Sequence, residues 1–113
     1  MTTQIVSSGQ TSNGLTVSSG NTLDVLGSAT ATTVSSGAGE IVLSGGIDLS
    51  ASILGSQTIS AGGVASSGTI SSGGAETVLS SGVSLEASVS SGGVVVVSSG
   101  GESLQTLVGG GGE

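Results

Sequence analysis

β-Branched residues recur along this chain in two interleaved ladders. One comprises Val6, Val25, Val42, Ile59, Val78 and Val97, and the other Val17, Val34, Ile53, Ile70, Val89 and Val108. Each step within a ladder runs from i to either i+19 or i+17. Half of the rungs, namely Val6, Val17, Val34, Ile70, Val89 and Val97, run straight into Ser-Ser-Gly. A fixed period of about 20 residues, with apolar strand ends followed by glycine turns, marks a solenoid whose coils bury their apolar edges only against one another. The spacing therefore predicts an all-β parallel β-helix (a β-solenoid) of about six coils, each of about 17–19 residues. Handedness does not follow from it.

From Ile59 onward the rungs alternate, i to i+11 and then i to i+8. The long arms show period-two alternation, which predicts half-buried strands. Ile47-Asp48-Leu49-Ser50-Ala51-Ser52-Ile53 should place Ile47, Leu49, Ala51 and Ile53 inside, with Asp48 and Ser50 outside. Val83–Val89 repeats that arrangement and puts Glu86 outside. Stacking the long arms aligns Leu49, Ser66, Leu85 and Leu104 in one interior column, and Ala51, Gly68, Ala87 and Thr106 in the next. Short arms such as Thr22–Val25 and Val94–Val97 supply second strands, with Val94 and Val96 facing out. Val42-Leu43 and Val78-Leu79 each offer two inward rungs, and a bulge could resolve either. The two-residue losses between Val25 and Val34, and between Ile53 and Ile59, are expected to shorten turns and leave strands intact.

The 113 residues suit one domain. No aromatic residue is present, so the interior must be built from Val, Ile, Leu, Ala and Thr. Thin stacked layers suit that set better than a rounded core. A hydrophobic share of 35% argues against a disordered chain. A Gly/Ser linker has no reason to carry spaced rungs. Collagen needs glycine at every third position plus proline, and leucine-rich repeats need a longer Leu/Asn consensus; neither occurs. A left-handed hexapeptide helix finds only Val25-Leu26-Gly27 and Ile53-Leu54-Gly55.

Seven acidic residues stand against no Lys, Arg or His, for a formal charge of -7. Binding to nucleic acid or to an anionic membrane is disfavoured, because both require cations on the protein. A serine nucleophile has no base to activate it. Transition-metal sites lack His and Cys, and no Gly-Gly-x-Gly-x-Asp calcium repeat occurs. The acids are expected not to recur at one coil position. Asp48 and Glu86 remain as a glycosidase-type pair, on which a polysaccharide-processing β-helix would rest. Placed two coils apart and differently offset, they are expected to be solvated surface charges that discourage lateral pairing. Ice binding would need an outward threonine rank, whereas Thr30-Ala31-Thr32 stands alone. The chain is thus expected to have no enzymatic activity and no cofactor. Met1-Thr2-Thr3-Gln4 lacks signal-peptide character, and Gly109–Glu113 reads as a repeat cut in mid-turn. Residues 1–113 are expected to form a single solenoid segment of a longer chain.

Ile70-Ser71-Ser72-Gly73-Gly74-Ala75-Glu76-Thr77-Val78 and the run Val89–Gly101, with two further Ser-Ser-Gly-Gly turns, resemble the 19-residue repeats of AIDA-type adhesin autotransporters of Gram-negative bacteria. The similarity is strongest from Ile59 to Val108 and looser before Val42. It implies a right-handed parallel β-helix passenger, exported by type V secretion to the cell surface, that promotes adhesion, autoaggregation or biofilm formation. Its partners would be further copies of itself, or host and bacterial surfaces. Some relatives carry heptose on repeat serines, added by a dedicated glycosyltransferase. Carried over by position, the O-glycan acceptors would be Ser7, Ser18, Ser35, Ser71, Ser90 and Ser98. The second serine of each pair (Ser8, Ser19, Ser36, Ser72, Ser91, Ser99) enters the turn and ranks behind the first. The alternative is that all of these are plain turn formers. A self-assembling extracellular fibre is a further possibility, since a solenoid's end coils present unpaired backbone groups.

Overall fold

The structure is a computed structural model and describes residues 3–71 and 73–110. Each coil contributes three strands. The first two coils hold β1 (Thr3–Val6), β2 (Thr11–Asn13), β3 (Thr16–Val17), β4 (Thr22–Val25), β5 (Ser28–Thr30) and β6 (Thr33–Val34). The next two hold β7 (Gly39–Val42), β8 (Ile47–Leu49), β9 (Ser52–Ile53), β10 (Ser56–Ile59), β11 (Val64–Ser66) and β12 (Thr69–Ile70). The last two hold β13 (Ala75–Val78), β14 (Val83–Leu85), β15 (Ser88–Val89), β16 (Val94–Val97), β17 (Glu102–Leu104) and β18 (Leu107–Val108). Every third strand pairs in parallel, giving three six-stranded sheets that wrap one narrow lumen. The faces are four, three and two residues wide, and are here called the first, second and third.

Both β-branched ladders lie inside this tube. Val6, Val25, Val42, Ile59, Val78 and Val97 stack in register at the inner end of the first face. Val17, Val34, Ile53, Ile70, Val89 and Val108 do so on the third. Ten of the twelve rungs are buried, and only Val97 and Val108, both in the last coil, are exposed. The choice at the paired positions falls on Val42 and Val78, both wholly buried. No bulge is needed, since both strands pair residue for residue with their neighbours. Val94 is half-buried and Val96 exposed, in line with an outward stripe. The two-residue deletions do shorten turns: Leu26-Gly27 and Leu54-Gly55 replace four-residue connections, while strand lengths stay constant.

The long arms depart from expectation. Each is bent into two strands by one residue with left-handed backbone, so the coil has three faces and not two. Gly14, Ala31, Ser50, Ser67, Glu86 and Gln105 occupy this corner, with φ between 55° and 72°. A left-handed residue breaks the alternation of side chains, and everything before it changes face. In the third coil Asp48 is therefore the inward residue, 1% exposed, while Ile47 and Leu49 are 40% and 38% exposed. Ala51 and Ile53, beyond the corner, are buried as expected. The column Leu49, Ser66, Leu85 and Leu104 is real, yet it runs along the outside of the second face. The inward column of that face is Ser12, Ala29, Asp48, Ala65, Ser84 and Ser103.

Left-handed backbone costs a non-glycine residue about 1–2 kcal/mol, so the surrounding structure must hold it there. Here the coil-to-coil hydrogen bonds do so. At the corner the N–H donates to the following coil: Ser50 to the Ser66 carbonyl at 2.8 Å, and Glu86 to that of Leu104 at 2.8 Å. Two residues on, Ser52 donates to the preceding coil, at the Thr32 carbonyl, at 2.8 Å. The bend is thus tied to the coils on both sides of it, and its backbone donors find the acceptors they require.

The Ser-Ser-Gly-Gly motif also has a physical basis in the turn Ser90–Gly93. The Gly93 N–H closes it on the Ser90 carbonyl at 2.7 Å, and Gly92 takes φ 78°. A Cβ on Gly93 would lie 2.4 Å from the Ile70 carbonyl oxygen of the preceding coil. The first glycine thus supplies left-handed backbone, and the second lets consecutive coils touch.

Candidate functional site

Two lines of corners carry the serines singled out above. The position after the first-face rung holds Ser7, Leu26, Leu43, Ser60, Leu79 and Ser98, each N–H after the first donating to the rung of the preceding coil at 2.8–2.9 Å. The position after the third-face rung holds Ser18, Ser35, Leu54, Ser71, Ser90 and Gly109, joined in the same way. Ser18, Ser35, Ser71 and Ser90 therefore share one edge, with a gap at Leu54. Ser7 and Ser98 lie on the other edge, five coils apart. Ser7, Ser18 and Ser90 are exposed, whereas Ser35, Ser71 and Ser98 are half-buried. Among the second serines, Ser8, Ser19, Ser36, Ser91 and Ser99 are all exposed. Ser72 lies outside the described residues. Ser60 sits in register with Ser7 and Ser98 without a Ser-Ser-Gly sequence; only its position after the rung Ile59 signals it.

A third hydroxyl line runs along the outside of the third face. Thr16, Thr33, Ser52, Thr69 and Ser88 stack in five successive coils. Period alone hides this rank, because its members mix Thr with Ser and follow the left-handed corner. Thr30-Ala31-Thr32 does not extend it, since Thr32 is buried inside.

The lumen holds an unexpected polar cluster. At the second position of the first face, Glu40, Gln57 and Glu76 stack between Leu23 and Val95. Asp48 and Ser84 approach from the second face, and Ala65 leaves room between them. The Gln57 amide nitrogen donates to Glu40 Oε1 at 2.8 Å and to Asp48 Oδ2 at 2.5 Å. Ser84 Oγ donates to Glu76 Oε1 at 3.0 Å. Glu40 Oε2, Asp48 Oδ1, Gln57 Oε1 and Glu76 Oε2 are buried and have no hydrogen-bond partner among the described residues.

Burial, with the Asp48 charge second, pushes the Glu40 carboxyl up to about 9. Burial likewise raises Asp48, although the neighbouring Glu40 carboxyl and the hydrogen bond from the Gln57 amide favour its charged form. Glu76 rises to about 6, again through burial, with the Ser84 hydroxyl opposing the shift. Among the described residues no three acidic groups are arranged to hold a metal ion.

These positions correct the expectations for the acids. Glu40 and Glu76 occupy one coil position, so acids do recur along the stack. Asp48 is an interior group, and no solvated charge. Glu86 is exposed at its corner on the outside of the same wall. The wall of the tube separates Asp48 from Glu86, so the two cannot flank one glycosidic bond and the glycosidase-type pair falls.

The fold superposes on that of the TibC-catalysed hyper-glycosylated TibA55-350 fragment, solved by crystallography. The TM-score is 0.55 and the sequence identity 24%, over 95% of this chain and 66% of that one. At this identity the likeness establishes the solenoid architecture, and the chain spans just under two thirds of that fragment's length. No family model and no curated protein matches the sequence.

Proposed function

We propose that this chain is a structural repeat segment of an AIDA-type adhesin autotransporter passenger, displayed on the surface of a Gram-negative cell. Its corner serines would be O-glycan acceptors for a dedicated glycosyltransferase, and its repeated outer surface would mediate adhesion, autoaggregation or biofilm formation. The observation that carries this reading is the edge of Ser18, Ser35, Ser71 and Ser90. It sets hydroxyl groups one above another along a solenoid that resembles a fragment known in its hyper-glycosylated form. Glycosylation spread over such an edge needs no pocket and no catalytic group on the acceptor. Intact mass of the protein from its native host tests the modification: heptose or hexose increments that disappear when Ser7, Ser18, Ser35, Ser71, Ser90 and Ser98 become alanine are expected. An unmodified mass removes the glycan arm. For the adhesive role, deleting the coils from the displayed parent should reduce aggregation or attachment, and unchanged behaviour would leave a stalk.

A second reading, self-assembly into β-solenoid fibres, draws on the second face. Its outer surface carries Ile47, Leu49, Val64, Val83, Leu85 and Leu104 in neighbouring coils, with Leu104 48% exposed. Sizing at rising concentration separates the two, because a strict monomer at high concentration excludes the fibre.

A further inference from the structure

We propose that the carboxyl cluster in the lumen makes the rigidity of the solenoid proton-dependent, with the middle coils held tightest when Glu40, Asp48 and Glu76 retain protons and loosened as the cluster ionises. The inference stands on geometry and does not depend on the serine edge. Three carboxyl groups lie within three consecutive coils, all buried, and the chain contains no Lys, Arg or His to neutralise them. Every other side chain facing them from the surrounding strands is neutral. Leu23 on β4, Ala29 on β5, Gln57 on β10, Ala65 on β11, Ser84 on β14 and Val95 on β16 are their neighbours along the first and second faces. The buried third-face rungs Ile53, Ile70 and Val89 are apolar. The remaining described acids, Asp24, Glu86 and Glu102, are half-buried or exposed and do not line the lumen. Ionisation would therefore place two or three like charges in a narrow tube with a single amide between them. Desolvation and mutual repulsion both oppose that state.

The sign follows from linkage. Each carboxyl holds its proton more strongly in the folded chain than in the unfolded one, Glu40 moving from 4.5 to about 9 and Glu76 from 4.5 to about 6. The folded state then binds more protons, and stability falls as pH rises. The cluster's contribution is complete below about pH 4. The Glu76 share is lost between about 4.5 and 6, and the Glu40 share continues to fall toward about 9. Most proteins show the reverse on their acid side, where paired carboxylates must be protonated before unfolding.

The test is equilibrium urea unfolding of the full chain between pH 4.5 and 9, followed by far-UV circular dichroism. The unfolding constant should rise at least about tenfold between pH 5 and 8. High salt should leave this slope in place, because screening acts on exposed charges and not on the buried cluster. Glu40→Gln and Glu76→Gln should each flatten the profile, whereas Glu86→Gln on the outside should not. Carbon-13 titration of the wild-type side-chain carboxyls gives an independent readout that survives any misfolding variant. Midpoints for Glu40 and Glu76 above the ordinary glutamate range support the proposal. Midpoints near 4.5, or stability that is flat or rising from pH 5 to 8, overturn it.

Discussion

The left-handed corner residue is what turns the coil into a three-faced tube, and its energetic signature can be measured. Ala31 and Glu86 occupy that corner with φ 58° and 55°, and both are exposed. Replacing either with glycine removes little packing, so the change reports on the backbone. Relief of left-handed strain is worth about 1–2 kcal/mol, while glycine's greater freedom in the unfolded chain takes back about 0.5–1 kcal/mol. Each substitution should therefore stabilise by about 0.5–1 kcal/mol. The two sites lie three coils apart, about 14 Å along the stack, so the double variant should gain about 1–2 kcal/mol. The converse is testable at Gly14, which holds the same corner with φ 72° and has nothing within 4 Å of an added Cβ. Gly14→Ala should then cost only the backbone term, about 1 kcal/mol. Ser50→Val should cost more, about 2 kcal/mol, because a β-branched side chain tolerates positive φ least well. Urea titrations followed by far-UV circular dichroism are the natural assay, since the chain has no aromatic residue to give a fluorescence signal. Glycine substitutions that destabilise, together with a neutral Ser50→Val, would mean that the long arm runs straight and that Asp48 faces solvent after all.

Two further substitutions examine the packing on either side of the wall. Ile59→Ala, at a wholly buried rung between Val42 and Val78, should cost about 2–5 kcal/mol, while Ile47→Ala, with 40% exposure, should cost less than about 1 kcal/mol. Equal losses at the two positions in the same titration would refute the assignment of faces. Gly93→Ala would drive a Cβ to 2.4 Å from the Ile70 carbonyl oxygen, forcing adjacent coils apart. A loss of about 2–3 kcal/mol, larger than that of Gly14→Ala, is expected. A loss no larger than that of Gly14→Ala would show that the second glycine of the motif does not serve coil contact.

Much of the architecture was legible in the residues alone. The two ladders set coil length, coil number, parallel stacking and the twelve interior rungs, because a β-branched residue recurring at one period has only one efficient way to be buried. The serine corners followed as well, since Ser-Ser-Gly after a rung marks the place where a strand must turn. The interior of the second face was not legible. Period-two alternation reports side chains that share a face only while the backbone remains extended, and one left-handed residue inverts it. Gly14 hints at such a bend, but Ala31, Ser50, Ser67, Glu86 and Gln105 do not, as nothing in those residue types announces a positive φ. The apolar Ile47 and Leu49 consequently lie outside, and Asp48 inside, against their intrinsic preferences. Side-chain chemistry thus decided that a solenoid forms and where its rungs sit, whereas the corner, held by hydrogen bonds to neighbouring coils, decided which side chains the lumen encloses. The acids Glu40, Asp48 and Glu76 share that lumen, out of contact with solvent, because stacked backbones fix their positions there.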